Sequence, residues 1–507
     1  MIAITLLAVL ISFIIYYVRK QYTYWNQFDI PHLAAEFPFG NLTSVAKKQR
    51  SFGTAIFDIY NNSKDDILGF YMFFKPALLI RDPVLIKNVL ATDFEYFRDR
   101  GIYVDTKRDP MSANLFALEG DEWKSLRTSL TPAFTSGKLK GVFENVKGIG
   151  SHLVEFMKSK AEEQAEIDIR DLSMRYVTDC LAMTVFGQDG ISSIDDPDHE
   201  FLKNAKRYNT DKNMINVIRR ISSMVCPGFL KMLNMKGLPS FMEDFCLNMV
   251  TKTIQHREAN NVVRKDLMQY LIQLRNNSTA ELDEWKIKLL AKGSKEMSYD
   301  EIAANVFLFY IAGAETSSST ISYMIYELAR NDELMARAKA DIEETLKKHD
   351  GKITYESIKD MPFIDRCVNE TLRKYPALPI LNRECTKDYK IPDMDFVIKK
   401  GTAVIISILG VGRDDNIFPN ACNFDPDRFL SDRMYYDTDM FMPFGLGPRN
   451  CLAYRMGLIM VKVAVVMLLK NFKFEAVSYN ELEYDYSSVV LLPEEGTCRV
   501  KISKEEK

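Results

Sequence analysis

The chain opens on IAITLLAVLISFIIYYV, residues 2 to 18, without a single charged position, and turns abruptly polar at Arg19 and Lys20. At about 1.5 Å per residue such a run spans roughly 26 Å as a helix, near the lower limit for crossing a bilayer. Tyr22, Tyr24 and Trp25 follow, where an interfacial aromatic belt would lie. A cleaved signal peptide needs positive charge before the apolar run and small residues after it, and neither occurs. The pattern predicts a transmembrane anchor over 1–20 that keeps residues 21–507 on the cytosolic side of a lipid bilayer. A buried core helix is the competing reading, but such helices usually keep one polar face.

After the anchor, Pro31, Pro38 and Gly40 in IPHLAAEFPFGN mark an irregular hinge over 21–45. No repeat or low-complexity linker divides the rest, so 46–507 reads as one body. From about residue 120 to residue 350 the apolar positions recur at helical spacing with charged faces between them. Short β-branched runs, ALLIRD at 77–82 and TAVIIS at 402–407, read as strands. The fold class is mainly α with small β-sheets.

One helix stands out. Ser298 and Glu301 form a capping box for a helix that continues to about Arg330, long enough to cross a whole domain. Its middle, AANVFLFYIAGAETSSST, is apolar to Gly313 and then places Glu315, Thr316 and three serines where a core helix would carry aliphatics. A buried acid beside hydroxyls is costly unless it is partnered or functional. The alternative is that the hydroxyls bond back to carbonyls one turn earlier and only bend the helix.

Other pairs carry chemistry at helical spacing. Trp123 and Arg127 in DEWKSLR lie four apart, an aromatic beside a fixed cation suited to an anionic group, or a solvated helix face. Glu370 and Arg373 in NETLRKYP lie three apart, and Arg428 in NFDPDRF can join them in a charge network; an ordinary surface pair is the alternative.

Composition removes several classes. Of 507 residues 47% are apolar, enough for a large core, while a net charge of −3 gives no basic footprint for nucleic acid. The eight cysteines form no CxxC pair, which argues against a disulfide framework or zinc site and suits a reducing compartment. GLGPRN at 445–450 lacks the third glycine of a dinucleotide loop, and GxxxxGK[ST], GxSxG and HExxH are absent. The five histidines lie in polar or loop-like contexts, so attention falls on Cys451, set between a glycine-arginine turn and the start of a helix.

FGLGPRNCLA around Cys451 resembles the haem-binding signature of the cytochrome P450 haem-thiolate monooxygenases. AGAETS, ETLR, FDPDRF and WKSLR match that family's other motifs in its order, so the resemblance covers nearly the whole chain. RKDLMQYLIQL at 264–274 and KYPALPILNREC at 374–385 look most like insect microsomal members associated with foreign compounds. The one departure is Ala453, where the family most often has glycine two residues after the cysteine.

The resemblance implies a haem b whose iron is held by the Cys451 thiolate, which favours O–O cleavage. Gly445 and Gly447 would let backbone N–H groups approach the sulfur, Phe444 would shield it, and Arg449, Trp123 and Arg127 would hold the propionates. Glu315 and Thr316 would supply protons for insertion of one atom of O₂ into a small apolar substrate. Phe116, Phe309, Ala312, Ile380, Leu381 and Val490 map onto substrate-facing segments. Glu370, Arg373 and Arg428 become a structural network. No flavin or nicotinamide motif is present, so the implied partners are an NADPH-dependent flavoprotein reductase, with cytochrome b5 as an optional donor, at the endoplasmic reticulum membrane. A haem-thiolate isomerase or dehydratase, and a non-catalytic haem sensor, remain as alternatives.

Overall fold

The computed structural model describes residues 2–276, 297–430 and 438–505. Helix α1 (Ile2–Gln21) exposes Ile2, Ile4, Leu6, Val9, Phe13, Tyr16 and Tyr17. Among the described residues no helix is long and apolar enough to cross a membrane. The segment after α1 departs from the expected interfacial belt. Trp25 is completely buried, its indole N–H donating to the Phe70 carbonyl at 3.0 Å, and the Tyr71 hydroxyl donates to the Tyr22 carbonyl at 2.9 Å. An indole buried with its N–H satisfied is more stable than one left at a surface, so the tryptophan clips the hinge to the sheet.

That sheet is built from β1 (Ile67–Met72), β2 (Lys75–Ile80), β4 (Ile380–Glu384) and β7 (Ala403–Ser407) in the order β1-β2-β7-β4. The two runs expected as strands form its central, parallel pair, with Ala77 opposite Ala403. Strands covered on both faces need continuous apolar sequence, which is why these were legible. Strands β3 (Glu166–Asp168), β8 (Phe472–Ala476) and β9 (Arg499–Lys504) make a second, antiparallel sheet, and β5 (Tyr389–Lys390) pairs with β6 (Val397–Ile398).

The helical body contains α2 (Gly120–Leu130), α3 (Ser136–Glu162), α4 (Ile169–Leu181), α5 (Glu200–Thr210), α6 (Met214–Val225), α7 (Ser240–Asn260), α8 (Tyr299–Ala329), α9 (Asp332–Lys348), α10 (Pro362–Lys374) and α11 (Tyr454–Asn471). Helix α8 starts at the expected capping box, Ser298 with Glu301, and runs through the core against α4, α7, α10 and α11. It is buried along most of its length, as an apolar helix surrounded by others must be.

Glu370 and Arg373 of α10 form a bidentate pair, both contacts at 2.7 Å, with neither side chain exposed. Arg428 Nε donates to the same carboxylate at 3.3 Å and the Asp425 N–H donates to it at 2.7 Å, so α10 is tied to the loop that leads toward Cys451. Removing one partner of such a pair leaves a buried charge uncompensated and costs about 3–5 kcal/mol. Glu370→Ala is expected to give little soluble holoprotein. Normal haem content with lost turnover in that variant would mean that Glu370 acts in the reaction instead.

Candidate active site

Cys451 lies three residues before α11, and its own N–H donates to the Phe444 carbonyl at 2.8 Å. The loop needs its glycines for shape. Gly445 and Gly447 have φ of 76° and 71°, and a Cβ on Gly447 would overlap the Leu90 carbonyl oxygen. The Gly445 N–H is engaged away from the sulfur, donating to Met442 O at 2.9 Å, while the Ala453 N–H pulls the Cys451 thiol down. Ala453 caps α11 at φ −95°, where alanine is unstrained, so the departure from glycine carries no backbone cost.

The Cys451 side chain is accessible, yet protein surrounds it closely enough that burial pushes its thiol up. The Ala453 N–H and the charges of Arg127 and Arg100 pull the other way. Phe444 is half-buried with its ring 5.7 Å from that of Tyr454.

The arginines converge from four parts of the chain. Arg127 of α2 donates to the Asn450 carbonyl and to its side-chain oxygen, both at 2.7 Å, clamping the cysteine loop. Arg449 lies over the Trp123 ring at 4.1 Å, so the two expected neighbours do meet. However, Arg449 commits its guanidinium to protein: Nε to Arg98 O at 2.8 Å, Nη2 to Leu118 O at 2.8 Å and to Asp99 at 3.4 Å, Nη1 to Phe116 O at 3.5 Å. It pins the loop to the 98–118 segment and has little left with which to grip a ligand. Arg100 and Arg383 fill that gap. Each has an enclosed Nε without a hydrogen-bond partner, and Arg100 stacks on Phe116 at 4.1 Å.

Burial, then the charges of Arg383, Arg449 and Arg127, holds Arg100 well below the usual arginine range. Burial and Arg449 push Arg383 down to about 9, and burial pushes Arg449 down to about 10. A cluster so crowded with positive charge beside a thiol, with two orphaned donors, fits a planar iron macrocycle bearing two carboxylates. Sequence reasoning missed Arg100 and Arg383 because no motif marks them, and they are brought together only by β4 and the loop before α2.

Helix α8 opens for a short stretch. Ala312 is exposed and Ile311, Gly313 and Thr316 are half-buried on a helix otherwise enclosed. The Thr316 hydroxyl donates to Ala312 O at 2.7 Å, and Ser318, Ser319, Thr320 and Ser322 all bond back to carbonyls three or four residues earlier. The back-bonding alternative is thus realised, together with the exposed patch. Glu315 is buried and turned toward α5, so acid and hydroxyl do not bond one another. Of the expected apolar lining, Phe309 meets Phe134 with centroids 5.2 Å apart, and Ile380 lines a cavity of about 10 Å³ with Arg100 and Arg383. Leu381 is buried in β4, and Val490 is half-buried in a loop that the Leu491 N–H ties to Ala377 O at 2.9 Å.

The family description "Cytochrome P450" matches residues 32–499. The chain is 44% identical to cytochrome P450 6d3 of Musca domestica over 98% of both chains. It is 42% identical to probable cytochrome P450 6d5 of Drosophila melanogaster over 99% of this chain and 100% of that one.

The arginine cluster generates a prediction of opposite signs. Arg383→Met removes a buried like charge, so the haem-free protein is expected to melt at a higher temperature, while haem leaves the loaded protein faster. Haem transfer to an acceptor apoprotein and thermal unfolding measure the two effects. Lower stability of the haem-free variant with unchanged haem loss would assign Arg383 to packing alone.

Proposed function

The chain belongs to the cytochrome P450 family of haem-thiolate monooxygenases, and on that premise we propose that it is a membrane-anchored member oxygenating small apolar substrates, foreign compounds or hormones, with electrons from an NADPH-dependent flavoprotein reductase. Cytochrome b5 is an optional second donor. The observation that carries this reading is the accessible Cys451 sulfur beside Arg127 and Arg100, with Arg383 and Arg449 crowded against Arg100, on a fold whose long helix bares Ala312 and Thr316. Haem ligated by the thiolate supplies the reductive activation of O₂.

The protein's own side chains do the rest. Arg100, Arg127 and Arg383 would bind the carboxylates of the group, while Arg449, stacked on Trp123, holds the loop in position. Phe444 would shield the sulfur from water; since that shielding by itself pushes the thiol up, the thiolate depends on the Ala453 N–H and the charges of Arg127 and Arg100, which pull it down. Phe116, Phe309, Ala312, Ile380, Leu381 and Val490 offer apolar surface, so an apolar substrate gains by leaving water and a charged one does not. The Thr316 hydroxyl, on the exposed patch, would present a proton where the reaction occurs, and Glu315, which does not touch it, would resupply that proton through intervening water. An isomerase reading draws support from the missing hydrogen bond between Glu315 and Thr316, since isomerisation needs neither.

Thr316→Val separates the two. The substitution removes the hydroxyl at nearly constant volume, so haem content and substrate binding are expected to persist. General acid groups contribute about 10²–10⁴-fold, and with water as a partial substitute the loss of product falls at the low end. With added reductase, NADPH consumption continues, more of it appears as hydrogen peroxide, and less as oxygenated product. An unchanged product-to-NADPH ratio removes Thr316 from proton supply, and no NADPH consumption by the parent protein favours the isomerase.

Membrane placement has its own test. The apolar, exposed face of α1 followed by Arg19 and Lys20 supports an anchor in the endoplasmic reticulum with the body in the cytosol. Asn61 and Asn276 are exposed and lie in glycosylation sequons. Endoglycosidase treatment of protein made in insect cells is expected to leave its mobility unchanged, and a shift would put the body in the lumen.

A further inference from the structure

Glu315 is held apart from the hydroxyl beside it. Its carboxyl is buried, makes no ion pair among the described residues, and accepts a hydrogen bond from Asn209 Nδ2 at 3.2 Å. Asn209 is the penultimate residue of α5, and its neighbour Tyr208 packs edge-on against Phe307 with centroids 5.3 Å apart. Adjacent residues of α5 therefore grip α8 at two points about 12 Å apart along its axis. Arg220 of α6 fixes that end of α5 by donating to the carbonyls of Tyr208 and Asp211 at 2.7 and 2.6 Å.

The charges facing the Glu315 carboxyl come from every element around it. Arg170 belongs to α4, Lys206 to α5 and Asp485 to the C-terminal loop, while Tyr310 is on α8 itself. Arg170 also donates to Pro493 O at 2.9 Å, which draws the C-terminal loop against this side. Thr316 points elsewhere, donating to Ala312 O on the exposed patch.

We propose that Asn209 is the positioning residue of Glu315: its amide holds the carboxyl on the side of α8 that faces α5 and the C-terminal loop, so that protons destined for Thr316 pass through Glu315 from that side and not from the cysteine side. The proposal rests on the reading of Glu315 as a proton source. Burial pushes the Glu315 carboxyl up, Arg170 and then the Asn209 amide pull it down, Asp485 raises it and Lys206 lowers it. An N–H donor favours the carboxylate over the acid. Removing the donor therefore moves the titration of Glu315 to higher pH, whereas removing the Asp485 charge moves it to lower pH.

Infrared difference spectra of the ferric holoprotein against pH give the midpoint of the protonated-carboxyl band, assigned by its loss in Glu315→Gln. The product-to-NADPH ratio against pH, with reductase and one apolar substrate, gives the turnover profile. Asn209→Leu and the isosteric Asn209→Asp are both expected to raise the band midpoint, Asp485→Asn to lower it, and the turnover profile to move with the band each time. The Asp variant carries the test if the Leu variant loses haem. A midpoint unmoved by either Asn209 substitution overturns the proposal. Midpoints that move without the turnover profile leave Asn209 as the partner of Glu315, but overturn the entry route and the reading of Glu315 as proton source together.

Discussion

Gathering positive charge out of water is unfavourable, yet Arg127, Arg383 and Arg449 crowd Arg100 from α2, from β4 and from the loop before α11, and Arg100 and Arg127 flank the Cys451 sulfur. Two arginines that were merely structural would end on carboxylates, as Arg373 ends on Glu370 and Arg257 on Asp266. Here Asp99 is the acid within reach of Arg449, at 3.4 Å, and Arg100 and Arg383 keep an enclosed Nε without a partner. The sheet, the clamp from Arg127 to Asn450 and the pin from Arg449 to the 98–118 segment all hold these cations where they repel one another. A fold that maintains such an arrangement is shaped for an anionic group, and the family's haem supplies the two carboxylates that balance it.

The long helix divides its work by side. Most of α8 is core, which anchors it against α4, α7, α10 and α11. At 311–316 the enclosure opens, and residues a few positions apart face different surroundings: Ala312 and Thr316 an open surface, Glu315 the underside of α5. The serines that follow return their hydroxyl bonds to the helix, so polar side chains cross the core without seeking outside partners. A rigid helix thereby turns one hydroxyl and the adjacent acid toward different neighbours, because successive residues of an α-helix are rotated by about 100°.

What could be read along the chain was local. The capping box of Ser298 and Glu301, the continuous apolar strands at 77–80 and 403–407, the cysteine loop and the pairing of Glu370 with Arg373 depend on residues close in sequence, whose spacing fixes their mutual orientation. Arg428 could be named as a candidate partner from its sequence, but its approach to Glu370 spans a long stretch of chain and only the fold brings them together. Tertiary structure alone decided that the Gly445 N–H is spent on Met442, that Arg449 is committed to carbonyls, that Trp25 is clipped under the sheet, and that Arg100, Arg383 and Asn209 belong to the site. A sequence records which donors and charges exist; only the packed chain determines which are already engaged, because burial and neighbouring dipoles are properties of residues distant in the chain.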